Sequence, residues 1–248
     1  MSRRPAQRLV VCVESRAKAG PYVEALKEAG AVAERLQVIT PENAAGDLEH
    51  TGAACAGLLL CGGPDMEPWR YGETPRPDAR LSLLPELDQL EWDLLTGAAA
   101  THRPVWAVCR GLQTVNVFLG GSLWQDIPSQ LDDAVEHAVA EPLDAMAHPI
   151  GGGEHHDPWA GALTAGPLEV NSRHHQALRE LGRDISPVAH SPDGLIEAAV
   201  VSREDWWVKG VQWHPEDLLH QPIQKQLWHE FLDAAAAAAG ERRGEEAS

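Results

Sequence analysis

One of the chain's four cysteines stands where it could do chemistry. In Pro104-Val-Trp-Ala-Val-Cys109-Arg-Gly-Leu-Gln113 an apolar strand pattern ends at Cys109 and a helical pattern opens at Gly111. A strand–turn–helix junction pushes the side chain at its turn out of the sheet's C-terminal edge, where open α/β folds bind ligands. The first amides of such a helix favour a thiolate and can hold an oxyanion. On this local pattern alone a buried core cysteine is the competing reading, because free cysteine packs as a small hydrophobe.

A second segment, Val208-Lys-Gly-Val-Gln-Trp-His214-Pro-Glu216, ends a strand pattern in His-Pro-Glu. Such a histidine can donate one ring N–H to the carboxylate and turn its other nitrogen to a nucleophile, with Pro215 fixing the backbone between them. A surface histidine beside a solvated glutamate is the blander reading. In a third segment the apolar run Leu58–Cys61 is cut off by Gly62-Gly63-Pro64. Two glycines at a strand end allow close backbone approach and can aim an N–H at a developing oxyanion; a plain tight turn would look the same.

The elements that must position these residues follow from the apolar patterning. Strands are expected at Leu9–Val13, Leu36–Ile39, Gly57–Cys61 and Pro104–Val108, and helices at Pro21–Ala29, Leu81–Ala100 and Leu112–Leu119. Alternating strands and helices indicate βαβ units and a parallel sheet. Asp126–Pro167, rich in Pro, Gly and His, reads as an irregular excursion rather than a second domain. Strand patterns return at Ile185–Ala189, Leu195–Val201 and Trp206–Trp213, before a last helix over Pro222–Ala239. A single domain over 9–239 with flexible tails at 1–8 and 240–248 is expected.

Composition narrows the function classes. The chain has 248 residues, 20 Lys plus Arg against 37 Asp plus Glu, and a net charge of −17. That length fits one large domain or two small ones. The acidic balance argues against nucleic acid and against an anionic membrane surface as partners. The apolar run behind the basic N-terminus is too short for a signal peptide, and nothing reaches the 18 or so apolar residues of a membrane helix. A cytoplasmic protein with reduced thiols is expected. No two cysteines form a C-x-x-C pair, and Cys12, Cys55 and Cys61 read as core residues. Core packing is also the default for the nine tryptophans. An exposed one can stack on a ligand or fill an interface between two copies, so a homodimer is one assembly open to the chain.

Taken in order, these segments resemble the class I glutamine amidotransferase superfamily. Finer detail resembles its γ-glutamyl-γ-aminobutyrate hydrolase branch, a peptidase C26 group. The motifs concerned are Gly63-Pro-Asp-Met-Glu-Pro-Trp-Arg-Tyr-Gly-Glu73, Cys109-Arg-Gly-Leu-Gln-Thr-Val-Asn116, Gly120-Gly-Ser-Leu-Trp-Gln-Asp126 and Val170-Asn-Ser-Arg-His-His-Gln176, followed by His214-Pro-Glu216. The resemblance covers roughly residues 9–232 and implies a flavodoxin-like α/β three-layer sandwich with a mostly parallel central sheet. It implies Cys109 as nucleophile, His214 as general base and acid, and Glu216 as the carboxylate that orients it. The backbone amides of Gly63 and Arg110 are the candidate oxyanion hole. Gly62 and Gln113 are expected at the substrate, a small-molecule γ-glutamyl amide. His174 and His175, ahead of a helix expected near Gln176, either line the pocket mouth or form a structural hydrogen-bonding pair.

The chemistry implied is hydrolysis to glutamate plus an amine through a γ-glutamyl thioester, with no cofactor and no metal. The segment Ala147-His-Pro-Ile-Gly-Gly-Gly-Glu-His-His-Asp-Pro158 departs from the branch pattern. Its clustered His, Glu and Asp invite a metal reading, but they lack helical i, i+4 His spacing, and three glycines favour a loop. Asp88 and Glu91 share a helix face at i, i+3 and match a branch element; a solvated face is the expectation for them. The competing functions are a glutaminase subunit serving a synthase on another chain, and a catalytically silent module. The length argues against a fused synthase, and the intact Cys-His-Glu set argues against silence. The negative charge would attract a cationic γ-glutamyl polyamine, with Arg110 or Arg173 helping to hold the glutamate end.

Overall fold

A computed structural model describes residues 7–152, 163, 166 and 168–240. Its central sheet has the strand order β2-β1-β3-β4-β11-β10-β9. The strands are β1 (Leu9–Cys12), β2 (Leu36–Ile39), β3 (Gly57–Leu60), β4 (Val105–Val108), β9 (Ile185–His190), β10 (Ile196–Val201) and β11 (Val208–Val211). The first five in spatial order run parallel, and β10 runs antiparallel to both of its neighbours, β11 and β9. Every residue of β1, β3 and β4 is buried, as expected of parallel strands covered on both faces.

Side chains alternate between two cores, one on each face of the sheet. Val11, Leu59, Trp106 and Val211 meet helices α1 (Gly20–Glu28) and α6 (Pro222–Ala238). Val10, Leu58, Leu60 and Ala107 meet α3 (Pro85–Ala100) and α4 (Arg110–Phe118). The α/β three-layer sandwich is therefore as expected. Cys12, Cys55 and Cys61 are buried core residues, as are Trp106, Trp206, Trp213 and Trp228, while Trp69 is 62% exposed.

Two elements differ from the sequence reading. Helix α3 begins at Pro85, not Leu81, because proline is preorganised for a first helical turn. Gln176 opens no helix: Ala177–Leu178 forms β8, paired with β5 (Leu123–Trp124). A further helix, α2 (Leu48–Ala54), carries little apolar periodicity and lies against α3. Their backbones touch. A Cβ on Gly97 of α3 would lie 1.8 Å from the Glu49 carbonyl oxygen, and one on Gly52 would lie 2.0 Å from that of Leu94.

The excursion after Asp126 holds the short helix α5 (Ile127–Gln130), then β6 (His148–Ile150) paired antiparallel with β7 (Leu168–Val170). Glu154, His155, His156 and Asp157 of the Gly/His-rich segment lie outside the described residues. No helix among the described residues is long and apolar enough to cross a membrane.

Candidate active site

Strands β3, β4 and β11 are parallel neighbours in register, with Leu60 beside Ala107 and Val108 beside Val211. Their C-terminal ends therefore emerge together, which brings Gly62-Gly63, Cys109 and His214 to one sheet edge. The Cys109 amide donates to the Val211 carbonyl at 2.8 Å, stitching the junction. Cys109 caps α4 with φ 52° and ψ −108°. A side chain rarely adopts that left-handed φ; holding it costs on the order of 1–3 kcal/mol, and such strain clusters at functional sites. The residue is 6% exposed and lines a cleft of about 440 Å³ with Tyr22, Gly62, Gly63, Arg173 and His214.

His214 follows β11 and precedes a 3-10 turn, Pro215–Asp217, that brings Glu216 back toward the ring. His214 Nδ1 lies 2.6 Å from Glu216 Oε1, and the ring shares the cleft with Cys109, both facing Gly62. Burial alone would push the imidazole pKa down. The charges of Glu216 and Cys109 outweigh it and raise the pKa to about 10, because opposite charge favours the protonated ring. The arrangement suits a group that holds a proton near a sulfur and can pass it on.

The remaining residues singled out by sequence fall into two sets. Gly62 and Gly63 are at the cleft. The Gly62 amide is already engaged, donating to the Tyr22 hydroxyl at 3.0 Å. Arg110 places its backbone N–H at the start of α4, where first-turn amides have no helical acceptor. Its guanidinium, read as help for the glutamate end, turns instead into the protein and pairs with Asp88 and Glu91. Those carboxylates are 1% exposed, so the solvated face expected of them is a buried ion cluster. Arg173 does line the cleft, tied to Asp217 at 2.6 Å and to the Leu143 carbonyl at 2.7 Å.

Gln113, His174 and His175 do not line this cleft. Gln113 Nε2 donates to the Gln176 carbonyl at 3.0 Å and to Gln212 Oε1 at 3.3 Å, while Gln212 Nε2 reaches Cys109 Sγ at 3.5 Å. Gln113 thus meets the sulfur through Gln212. His175 bridges Asp65 and Asp126 at 2.8 and 2.9 Å. Those carboxylates, working against partial burial, raise its pKa to about 9. His174 is buried among His137, His148 and Glu197.

Three residues with evident structural roles at the site escaped the sequence reading: Tyr22, Gln212 and Asn171. Asn171 accepts from the His214 N–H at 3.0 Å and donates to the His214 carbonyl at 3.1 Å. Its place in Val-Asn-Ser was visible in the sequence, but its partner lies 43 residues away. Among the described residues, two groups of side chains converge closely enough to hold a metal ion: His214, Glu216 and Asp217 at the cleft, and His137, His148, His174 and Glu197 away from it. The first already contains the His214–Glu216 hydrogen bond.

The family model Peptidase C26 matches residues 5–216. Protein NtpR of Enterococcus hirae is 34% identical over 200 residues, covering 79% of each chain. The γ-glutamyl-γ-aminobutyrate hydrolase PuuD of Escherichia coli is 32% identical over 195 residues, covering 75% of this chain and 74% of that one. Among solved structures, the glutaminase domain of Trypanosoma brucei CTPS with bound acivicin superposes with a TM-score of 0.61. It is 14% identical and covers 96% of this chain and 95% of that chain, a likeness of fold.

Proposed function

The chain belongs to the peptidase C26 family, and from that premise we propose that it is a cysteine-dependent hydrolase of a γ-glutamyl amide. The observation that carries this reading is the left-handed Cys109 at a strand–helix junction, with the Glu216-anchored ring of His214 in the same cleft. The sulfur, as thiolate, adds to the δ-carbonyl carbon of the γ-glutamyl group. The resulting oxyanion takes hydrogen bonds from the amides of Gly63 and Arg110. Gly63 fits this role better than Gly62, whose N–H is spent on Tyr22. Protonated His214 gives its proton to the departing nitrogen as the C–N bond breaks, leaving a γ-glutamyl thioester and a free amine. His214 then takes a proton from water as the water oxygen adds to the thioester. The C–S bond breaks, glutamate leaves and the thiolate returns.

The leaving amine is proposed to be γ-aminobutyrate or a related amine, on the strength of the similarity to PuuD. The cleft sets Lys18 and Arg173 beside Glu14 and Asp217, so it offers a cation to the carboxylate of γ-aminobutyrate as well as an acid to a cationic amine. The test offers the purified chain γ-glutamyl-γ-aminobutyrate, γ-glutamyl polyamines and glutamine, and measures glutamate release against Cys109→Ala. Turnover of a γ-glutamyl amide by the chain alone, lost in Cys109→Ala, supports the proposal. Activity on glutamine only, and only with an added synthase chain, would replace it by the glutaminase-subunit reading. No turnover of any of the three would favour a silent module.

A further inference from the structure

We propose that His137, His148, His174 and Glu197 form a closed binding site for one zinc-type divalent cation, separate from the cleft. The four side chains come from distant segments: the loop before β6, β6 itself, the loop after β7, and β10. Their exposures are 3%, 3%, 4% and 0%, and their facing ligand atoms all lie within 4.8 Å of one another. None of the four lines the cleft.

Hydrogen-bond accounting points to a cation. A neutral imidazole has one N–H, and here each outer nitrogen faces an acceptor. His137 Nε2 is 2.9 Å from Asp193 Oδ2, His174 Nδ1 is 2.9 Å from the Gln176 carbonyl, and His148 Nδ1 is 3.3 Å from that of Pro149. Those bonds place the protons outward. The inner nitrogens, His137 Nδ1, His148 Nε2 and His174 Nε2, are then lone pairs. They converge on an anionic carboxylate, and none of these three nitrogens nor either oxygen of Glu197 has a hydrogen-bond partner. Orphaned polar atoms at such burial are rare and costly, and lone pairs facing a carboxylate repel it. A metal ion resolves all of these contacts together. An acceptor on the far ring nitrogen is the usual support of a metal-bound histidine.

The distances fit the same ligand. Glu197 Oε1 lies 3.4, 3.6 and 3.5 Å from the inner nitrogens of His137, His148 and His174. A charge-assisted hydrogen bond would be shorter, about 2.7–2.9 Å. Metal–ligand bonds of about 2.0–2.2 Å in tetrahedral geometry put neighbouring ligand atoms about 3.3–3.5 Å apart. Three imidazoles and a carboxylate suit zinc among the common divalent ions. Four protein ligands leave no open position, which marks a structural site rather than a catalytic one. Bound there, the ion would pin the irregular excursion to the sheet edge. The loop after β7 that supplies His174 also carries Asn171, bonded to His214, and Arg173, at the cleft.

The test is metal content of the tag-free full chain by mass spectrometry, as purified and after incubation with zinc sulfate. About one zinc per chain is expected, retained in Cys109→Ala and lost in Glu197→Gln and His148→Ala. Chelation should lower Tm, and zinc should restore it. Should those variants fail to fold, cobalt(II) added to the unaltered apo-chain gives an independent answer, the intense visible absorption of a tetrahedral site. Less than about a tenth of an equivalent after zinc incubation, or full stoichiometry in folded Glu197→Gln, would overturn the proposal.

Discussion

Asn171 holds His214 by both sides of its backbone, its Oδ1 accepting the His214 N–H at 3.0 Å and its Nδ2 donating to the His214 carbonyl at 3.1 Å. The imidazole is fixed at one end by Glu216 and at its root by this amide. Asn171→Ala should leave the His214 N–H buried without a partner, at about 1–3 kcal/mol, while the carbonyl keeps the Asp217 N–H at 3.3 Å. It should also lower kcat/KM by on the order of 10²-fold, because a misplaced proton carrier costs that much. Steady-state kinetics beside urea denaturation separates the two effects; unchanged kcat/KM would remove Asn171 from the positioning of His214.

The His214 ring should stay protonated far above the usual histidine range. Its pKa of about 10 rests on Glu216 and Cys109 prevailing over burial. The folded value is above the unfolded one, so its contribution to stability is complete below about pH 6.5 and is lost as pH rises through about 10. A proton NMR titration of the ring should show no midpoint between about pH 6 and 8.5, and Glu216→Gln should bring the midpoint downward.

His175 offers a second, separable pH dependence. Both of its nitrogens face carboxylates, so both must carry protons, and its pKa stands at about 9. The stabilisation it gives is present below about pH 6.5 and declines as pH rises through about 9. Tm measured across that window should fall in the parent chain and fall less in His175→Gln. Equal slopes would mean that the bridge to Asp65 and Asp126 adds nothing.

Arg110 should matter for the fold through its side chain. Arg110→Met leaves Glu91 buried without its cation and Asp88 with Arg70 alone, 3.3 Å away. Breaking one side of such a buried pair costs about 3–5 kcal/mol, read as a lowered urea midpoint. Arg110→Met with Asp88→Asn and Glu91→Gln should recover part of that loss. A single variant as stable as the parent would contradict the cluster.

Gly97→Ala reverses a common expectation. In an exposed helix the change stabilises by about 1 kcal/mol, but here the new methyl would sit 1.8 Å from the Glu49 carbonyl oxygen. Helices α2 and α3 must separate, so a net loss of stability is expected by chemical denaturation.

The sequence by itself determined a good deal. Buried parallel strands are continuous apolar runs, so β1, β3 and β4 were legible from local pattern, while the half-buried β2, with Gln37 inside it, carried a weaker form of the same signal. The junction residues Cys109 and His214-Pro-Glu216 were legible because strand ends and turns leave local signatures. Tertiary structure decided what depends on contacts between distant segments. The i, i+3 pair Asp88 and Glu91 looks the same whether it faces water or Arg110; only folding put Arg110 beneath it. Helix α2 has no strong apolar period because glycine-to-backbone packing, not a stripe of large side chains, fastens it to α3. His137, His148, His174 and Glu197 span 61 positions from first to last and share no spacing rule. Their lone pairs acquire a common target only when β6, β10 and two loops are brought together, since long-range convergence is a property of topology rather than of local sequence.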